Sequence, residues 1–292
     1  MASPSVTSVN ITLPGSLPRA DGSPSTIAGT LDLPAAAGPL SPEEFRDAGY
    51  RVALLAHCFT CTRAAPGIFR ISRALARAGI ASLRMDFPGL GGSGPDDGGV
   101  RFEDTTFSSN VDDLVSAAGW LAERLTPPSL LVGHSLGGAA VLRAAPRIPS
   151  VRAVCTVGAP YLPGRAASSL LDVFGDATGD DDARTVHLAG RDITFRRRFL
   201  TDLAERSDED AVRADIAEPG LRGVPLLVLH SPEDRTVPVG DAERIFAAAS
   251  WPKSLVSIPD ADHLLTRRGS AQWVGETVTA WAVSGGGYSS QL

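Results

Sequence analysis

Short apolar runs alternating with stretches of helical spacing constrain this chain more than any other feature. Arg51–Ala56 is continuously apolar after its first residue, as expected of a strand covered on both faces. Ile68, Ile71, Leu75 and Ala78 then recur at helical spacing, with Gly79 placed to stop the helix. Ile80–Phe87 reads as the next strand, followed by a helix with Val111, Leu114, Val115, Ala118 and Leu121 on one face. The series continues with strand Leu130–Gly133, helix Leu136–Ala145 and strand Val151–Val157. It resumes later with strand Pro225–His230, helix Asp241–Ala249, strand Ser254–Ile258 and a helix over Ala271–Ala282. Such alternation predicts an α/β fold, with a mostly parallel sheet and helices on both faces. Two further strands, Val6–Thr12 and Thr26–Leu33, precede it.

Between about Tyr161 and Arg222 the alternation stops. That stretch holds the acidic run Asp176–Asp182, a hairpin pattern around Gly190 and a helix over Phe199–Glu205. The expected organisation is a core of residues 1–160 and 223–284, a small cap inserted at 161–222, and a frayed tail at 285–292. An insertion there sits over the carboxyl ends of the strands, where open α/β sheets bind ligands.

The 292 residues carry 33 acids and 27 bases, a net charge of −6, so nonspecific nucleic-acid binding is not expected. No apolar run approaches the length of a membrane span, and the first ten residues lack the features of a secretory signal. A soluble, cytoplasmic protein is expected, its oligomeric state unspecified. Cys58, Cys61 and Cys155 are too few for a disulfide-built scaffold.

Chemistry concentrates at Gly133-His134-Ser135-Leu136-Gly137, which joins a strand to a helix. A serine at such a sharp turn exposes its hydroxyl at the top of the sheet, and side chains at the flanking glycines would clash. The hydroxyl needs a base, itself oriented by a third group. Three histidines follow Ser135. His263 lies in a loop between the last strand and last helix, His187 lies in the insertion, and His230 ends a strand. His263 is the expected base. Asp234, in the turn after Pro225–His230, is the expected acid; Glu233 is expected to be a solvated turn residue, and Asp260 and Asp262 are too close in sequence to His263. An oxyanion hole needs two backbone N–H groups. Leu136, just after the nucleophile, supplies one, and the loop His57–Thr62 the other, with Phe59 ahead of Thr60.

Taken together, these stretches resemble the α/β-hydrolase superfamily, and among it the bacterial hydrolases that occur alone or fused ahead of an OsmC-type domain. The matching stretches are His57-Cys58-Phe59-Thr60-Cys61, Asp86-Phe87-Pro88-Gly89-Leu90-Gly91, Phe107–Leu114, the Ser135 turn with Gly138, His230-Ser231-Pro232 with Asp234, and Ala261–Leu265. The resemblance implies the fold and the triad Ser135, Asp234 and His263, and little about substrate. No OsmC-type domain is expected, since the sequence stops soon after its last helix.

Two motifs compete with this reading. Gly89-Leu90-Gly91-Gly92-Ser93-Gly94 fits a dinucleotide fingerprint, but Pro95-Asp96-Asp97 follows where a helix should open. Cys58-Phe59-Thr60-Cys61 suggests a redox pair or half a zinc site, with no second pair to complete the latter. The two cysteines are expected to act as small packing groups, indifferent to reducing agents. The trio Arg196-Arg197-Arg198 is read as a solvated helix face, with attraction of an anionic substrate as the alternative. The expected function is hydrolysis of a small-molecule carboxylic ester through an acyl-enzyme, with no metal, no cofactor and no nucleic-acid or membrane partner. Thioester or peptide cleavage on the same residues, a non-catalytic binding protein and a thiol-redox accessory are the alternatives.

Overall fold

The computed structural model describes residues 5–38, 40–165, 172–175, 179–188 and 191–284. Among the described residues ten strands run in chain order: β1 Val6–Pro18, β2 Pro24–Pro34, β3 Arg51–Ala56, β4 Ile80–Met85, β5 Leu130–His134, β6 Ala153–Val157, β7 Ala183–Leu188, β8 Arg191–Arg196, β9 Leu226–His230 and β10 Lys253–Ser257. The α-helices are α1 Pro42–Asp47, α2 Pro66–Arg77, α3 Phe107–Arg124, α4 Leu136–Ala144, α5 Arg197–Glu205, α6 Glu209–Leu221, α7 Val239–Ala248 and α8 Ser270–Val283.

Eight strands form one sheet in the order β1-β2-β4-β3-β5-β6-β9-β10. From β4 to β10 every neighbouring pair is parallel. The β1–β2 hairpin joins the β4 edge antiparallel. The continuous apolar runs are explained by burial on both faces, because alternate side chains enter different cores. Leu54, Ala56 and Leu131 join the core that includes α3, α4 and α7. Ala53, Leu55, Leu130 and Val132 join the other, with α2 and α8. Each fully buried aliphatic side chain contributes about 1.5–3 kcal/mol.

Between β6 and β9 the described residues form the separate β7–β8 hairpin and helices α5 and α6. The strands flank the expected Gly190 turn, but residues 189–190 themselves lie outside the described residues, as do 176–178 of the acidic run and all of 285–292. Two helices were not expected. Helix α1 opens on a capping box, Ser41 and Glu44 each bonding the other's backbone N–H. Helix α6 contains Pro219 near its end and buries only Val212, Ile216 and Pro219, so no apolar stripe marks it in the sequence.

The consequence for the site is positional. The loops leaving β3, β5, β6, β9 and β10 emerge at one edge of five neighbouring parallel strands. They carry, in turn, Phe59, Ser135, Gly158, Asp234 and His263.

Candidate active site

Ser135 sits between β5 and α4 with φ 55° and ψ −125°, a left-handed backbone that is unusual for a serine and costs on the order of 1–3 kcal/mol. The turn is possible because of its glycines. A Cβ on Gly133 would lie 2.2 Å from the Gly137 carbonyl oxygen, and one on Gly137 2.3 Å from that of His57. The Ser135 N–H donates to the Val157 carbonyl at 2.8 Å, tying the strained residue to β6.

Ser135 Oγ lies 2.8 Å from His263 Nε2, and His263 Nδ1 lies 2.7 Å from Asp234 Oδ2. The other Asp234 oxygen accepts N–H bonds from Thr236 at 2.8 Å and Val237 at 2.9 Å. Burial raises the Asp234 carboxyl, but the His263 bond and these two N–H groups outweigh it and hold it below the usual carboxylate range. An ionised Asp234 accepts from Nδ1–H, which leaves Nε2 unprotonated and facing the serine hydroxyl. Gly158, at φ +57°, leaves room beside this pair: a Cβ there would stand 3.4 Å from Asp234 Oδ2 and 3.6 Å from His263 Nδ1.

Of the other sequence candidates, Glu233, Asp262 and His187 take no part in this line, while His230 Nε2 lies 3.7 Å from Asp234 Oδ2. Glu233 is exposed and accepts from Arg267 at 2.6 Å. Asp262 accepts from the backbone and hydroxyl of Thr266, closing its own loop. His187 is exposed and faces Asp192 at 2.9 Å. His230 donates to the Val237 carbonyl at 2.9 Å, within the Asp234 turn.

Three supporting groups were not singled out in the sequence. His134 Nε2 donates to the His263 carbonyl at 2.7 Å. Burial, then the neighbouring His263, push His134 down to about 4, so it stays a neutral donor. Ser231 Oγ donates to the Ala261 carbonyl at 2.7 Å, pinning the His263 loop to the Asp234 turn. His57 Nδ1 donates to the Cys58 carbonyl at 2.8 Å, and its Nε2 accepts the Phe87 N–H at 3.0 Å, which fixes the start of the loop after β3. His134 was hidden as the variable position of the serine motif, and Ser231 and His57 each reach a backbone group of a loop distant in sequence, at Ala261 and Phe87.

Within that loop, Cys58 and Cys61 form a disulfide. This corrects the expectation of two free packing thiols. The bond closes a turn whose Cys61 N–H also donates to the Cys58 carbonyl at 3.0 Å, a geometry the four-residue spacing permits. Thr60 inside it has φ 58°. A β-branched residue in that region costs on the order of 1–2 kcal/mol. No backbone hydrogen bond among the described residues takes up the N–H of Phe59 or of Leu136. The Phe59 ring packs on Phe102 at 5.7 Å and on Phe199 of α5 at 5.5 Å.

The glycine-rich decoy has a structural use. Gly91 and Gly92 wrap the Asp86 carboxylate, which also takes the Arg63 N–H and guanidinium, and a short 3-10 turn follows at Pro95–Asp97. The arginine trio is engaged by acids: Arg196 with Glu103 and Asp104, Arg197 with Asp180, Arg198 with Asp104 and Asp181. Among the described residues no group of three or more His, Cys, Asp or Glu side chains forms a metal-binding set, and no helix is long and apolar enough to cross a membrane.

The model of the alpha/beta hydrolase family matches residues 53–276, most of the chain. The chain belongs to the alpha/beta hydrolase family. Among solved structures it is similar to the esterase domain of a Rhodothermus marinus protein, at 36% identity over 94% of this chain and 98% of that one, with a TM-score of 0.67. Est1E of Butyrivibrio proteoclasticus, solved with ferulic acid bound, shares the fold at 19% identity and a TM-score of 0.70, over 90% of this chain and 96% of that one. The uncharacterized protein YfhR of Salmonella typhi is 36% identical over 56 residues, and the match spans 19% of each chain.

Proposed function

We propose that this hydrolase cleaves small carboxylic esters, with Ser135 as nucleophile, His263 as base and Asp234 as its orienting acid. The observation that carries the reading is the continuous hydrogen-bonded line from Ser135 Oγ through both nitrogens of His263 to Asp234. His263 Nε2 takes the hydroxyl proton as Oγ attacks the ester carbonyl. The Phe59 and Leu136 N–H groups receive the oxyanion, and the α4 N-terminus favours the developing charge. His263 then protonates the leaving alcohol. The same ring deprotonates a water, which cleaves the acyl-enzyme, while ionised Asp234 stabilises each imidazolium.

Residues 161–222 form a cap in this reading, meeting the oxyanion loop where Phe199 packs on Phe59. The enzyme acts on soluble small molecules in the cytoplasm. A cavity of about 10 Å³ lies between Phe59, Leu136, Phe102 and Asn110, room for roughly one water-sized group. It lies behind the two oxyanion donors and is not lined by Ser135 or His263. With p-nitrophenyl acetate, turnover well above the uncatalysed rate is expected. Turnover of every ester at the uncatalysed rate, in a folded protein, contradicts the proposal.

A further inference from the structure

The Cys58–Cys61 disulfide occupies a place the proposed chemistry does not require. It spans the two residues, Phe59 and Thr60, on which the second oxyanion donor depends. Either side of it the loop is held independently. His57 fixes the entry through the Cys58 carbonyl and the Phe87 N–H, and Asp86 fixes the exit through Arg63. Between those anchors, among the described residues, the Cys61 N–H bond to the Cys58 carbonyl and the disulfide bridge the turn. Within it Thr60 keeps a left-handed backbone that a threonine does not favour. The Phe59 ring links this turn to Phe102 and to Phe199, so its conformation also bears on the helix packed above it.

We infer that Cys58 and Cys61 are a redox site that positions the oxyanion loop: the disulfide holds the Phe59 N–H in place, and reduction by a dithiol releases it. The inference rests on the esterase reading given above. Cys58 is buried, at 2% exposure, whereas Cys61 is half-buried, so a thiolate attacks the Cys61 sulfur and Cys58 leaves as thiolate. The second thiolate of the dithiol then attacks its own sulfur in the mixed disulfide and frees Cys61. The dithiol loses two electrons and closes its own disulfide. The protein gains those two electrons, and two protons end on Cys58 and Cys61. The anchors at His57 and Asp86 remain, so the reduced chain stays folded while Thr60 relaxes and the donor drifts. Cys58 and Cys61 are therefore positioning residues, and the effect falls on the transition state. Complete loss of one such donor costs about 10²–10³ in kcat, so a displaced donor should cost less, about tenfold.

The test compares the full-length native chain before and after dithiothreitol, with thiols counted on denatured samples and folding followed by thermal melting. The oxidised chain should show one thiol, Cys155, and the reduced chain three. On p-nitrophenyl acetate, kcat should fall about tenfold on reduction, with KM within about twofold, and return on reoxidation. Cys58→Ser and Cys61→Ser should each sit at the reduced rate and ignore dithiothreitol, while Cys155→Ala keeps the full response. The rate of fluorophosphonate labelling is measured in both forms. Equal kcat and equal labelling at one and at three thiols overturn the inference and leave the esterase reading standing. Three thiols in the chain after diamide oxidation overturn it as well. Labelling of neither form removes the esterase reading, and this inference with it.

Discussion

At the residue scale, the site depends on which groups meet rather than on which are near in sequence. Asp234 and Glu233 are neighbours, yet one faces His263 and the other faces Arg267 in solvent. Asp234→Asn should preserve the shape of the turn but present an amide that favours the wrong imidazole tautomer. Its expected cost is on the order of 10³–10⁴ in kcat, whereas Glu233→Gln should stay within about twofold of the native rate. Steady-state kinetics on one ester distinguishes them, and the reverse pattern would transfer the orienting role to Glu233. The meeting of Ser135, Asp234 and His263 was legible as geometry, because each lies in a loop at a strand's carboxyl end and such loops follow recognisable apolar runs. His134 and Ser231 were not, since their partners are the carbonyls of His263 and Ala261, which no local pattern reveals. The disulfide was misjudged for a different reason. Spacing alone allows Cys58 and Cys61 to pair or to remain thiols, and only the turn geometry decides.

At the scale of elements, periodicity identified the strands of the parallel sheet and most helices that pack on it, with boundaries off by a few residues. Its failure at α6 is physical. That helix is held by three buried residues and ends over a proline, so neither a stripe nor a clean stop marks it. Helix α1 is short and depends on its capping box rather than on an apolar face. The junction of β5 and α4 has little tolerance for added side chains. Gly137→Ala would set a Cβ 2.3 Å from the His57 carbonyl and 2.7 Å from that of Ala56, both backbone atoms that cannot swing aside. A destabilisation of at least about 3 kcal/mol is expected, read as a large drop in Tm or loss of soluble protein. A Gly137→Ala enzyme with native Tm and rate would mean that this close approach does not exist.

At the scale of the whole molecule, the β1–β2 hairpin is joined to the α/β core by a buried acid. Asp113 on α3 accepts the Ser16 N–H at 2.8 Å, and its other oxygen has no partner among the described residues. Burial, reinforced by nearby Asp112, pushes Asp113 up to about 7 from an ordinary 3.8. The folded chain therefore keeps a proton that the unfolded chain releases. Its contribution is fully present below the ordinary carboxylate value and is lost as pH rises toward and through about 7. Tm should fall between pH 5 and pH 8, and Asp113→Asn, which keeps the acceptor for Ser16, should flatten that fall; an unchanged slope would remove Asp113 as its source. The proposed activation of one serine rests on five loops that this fold brings together. Intact mass spectrometry after fluorophosphonate treatment, with peptide mapping of the adduct, tests it most directly. A single adduct on Ser135, absent from a folded Ser135→Ala variant that has also lost ester hydrolysis, is the result expected. An adduct on another residue, or labelling and turnover that survive in Ser135→Ala, would contradict it.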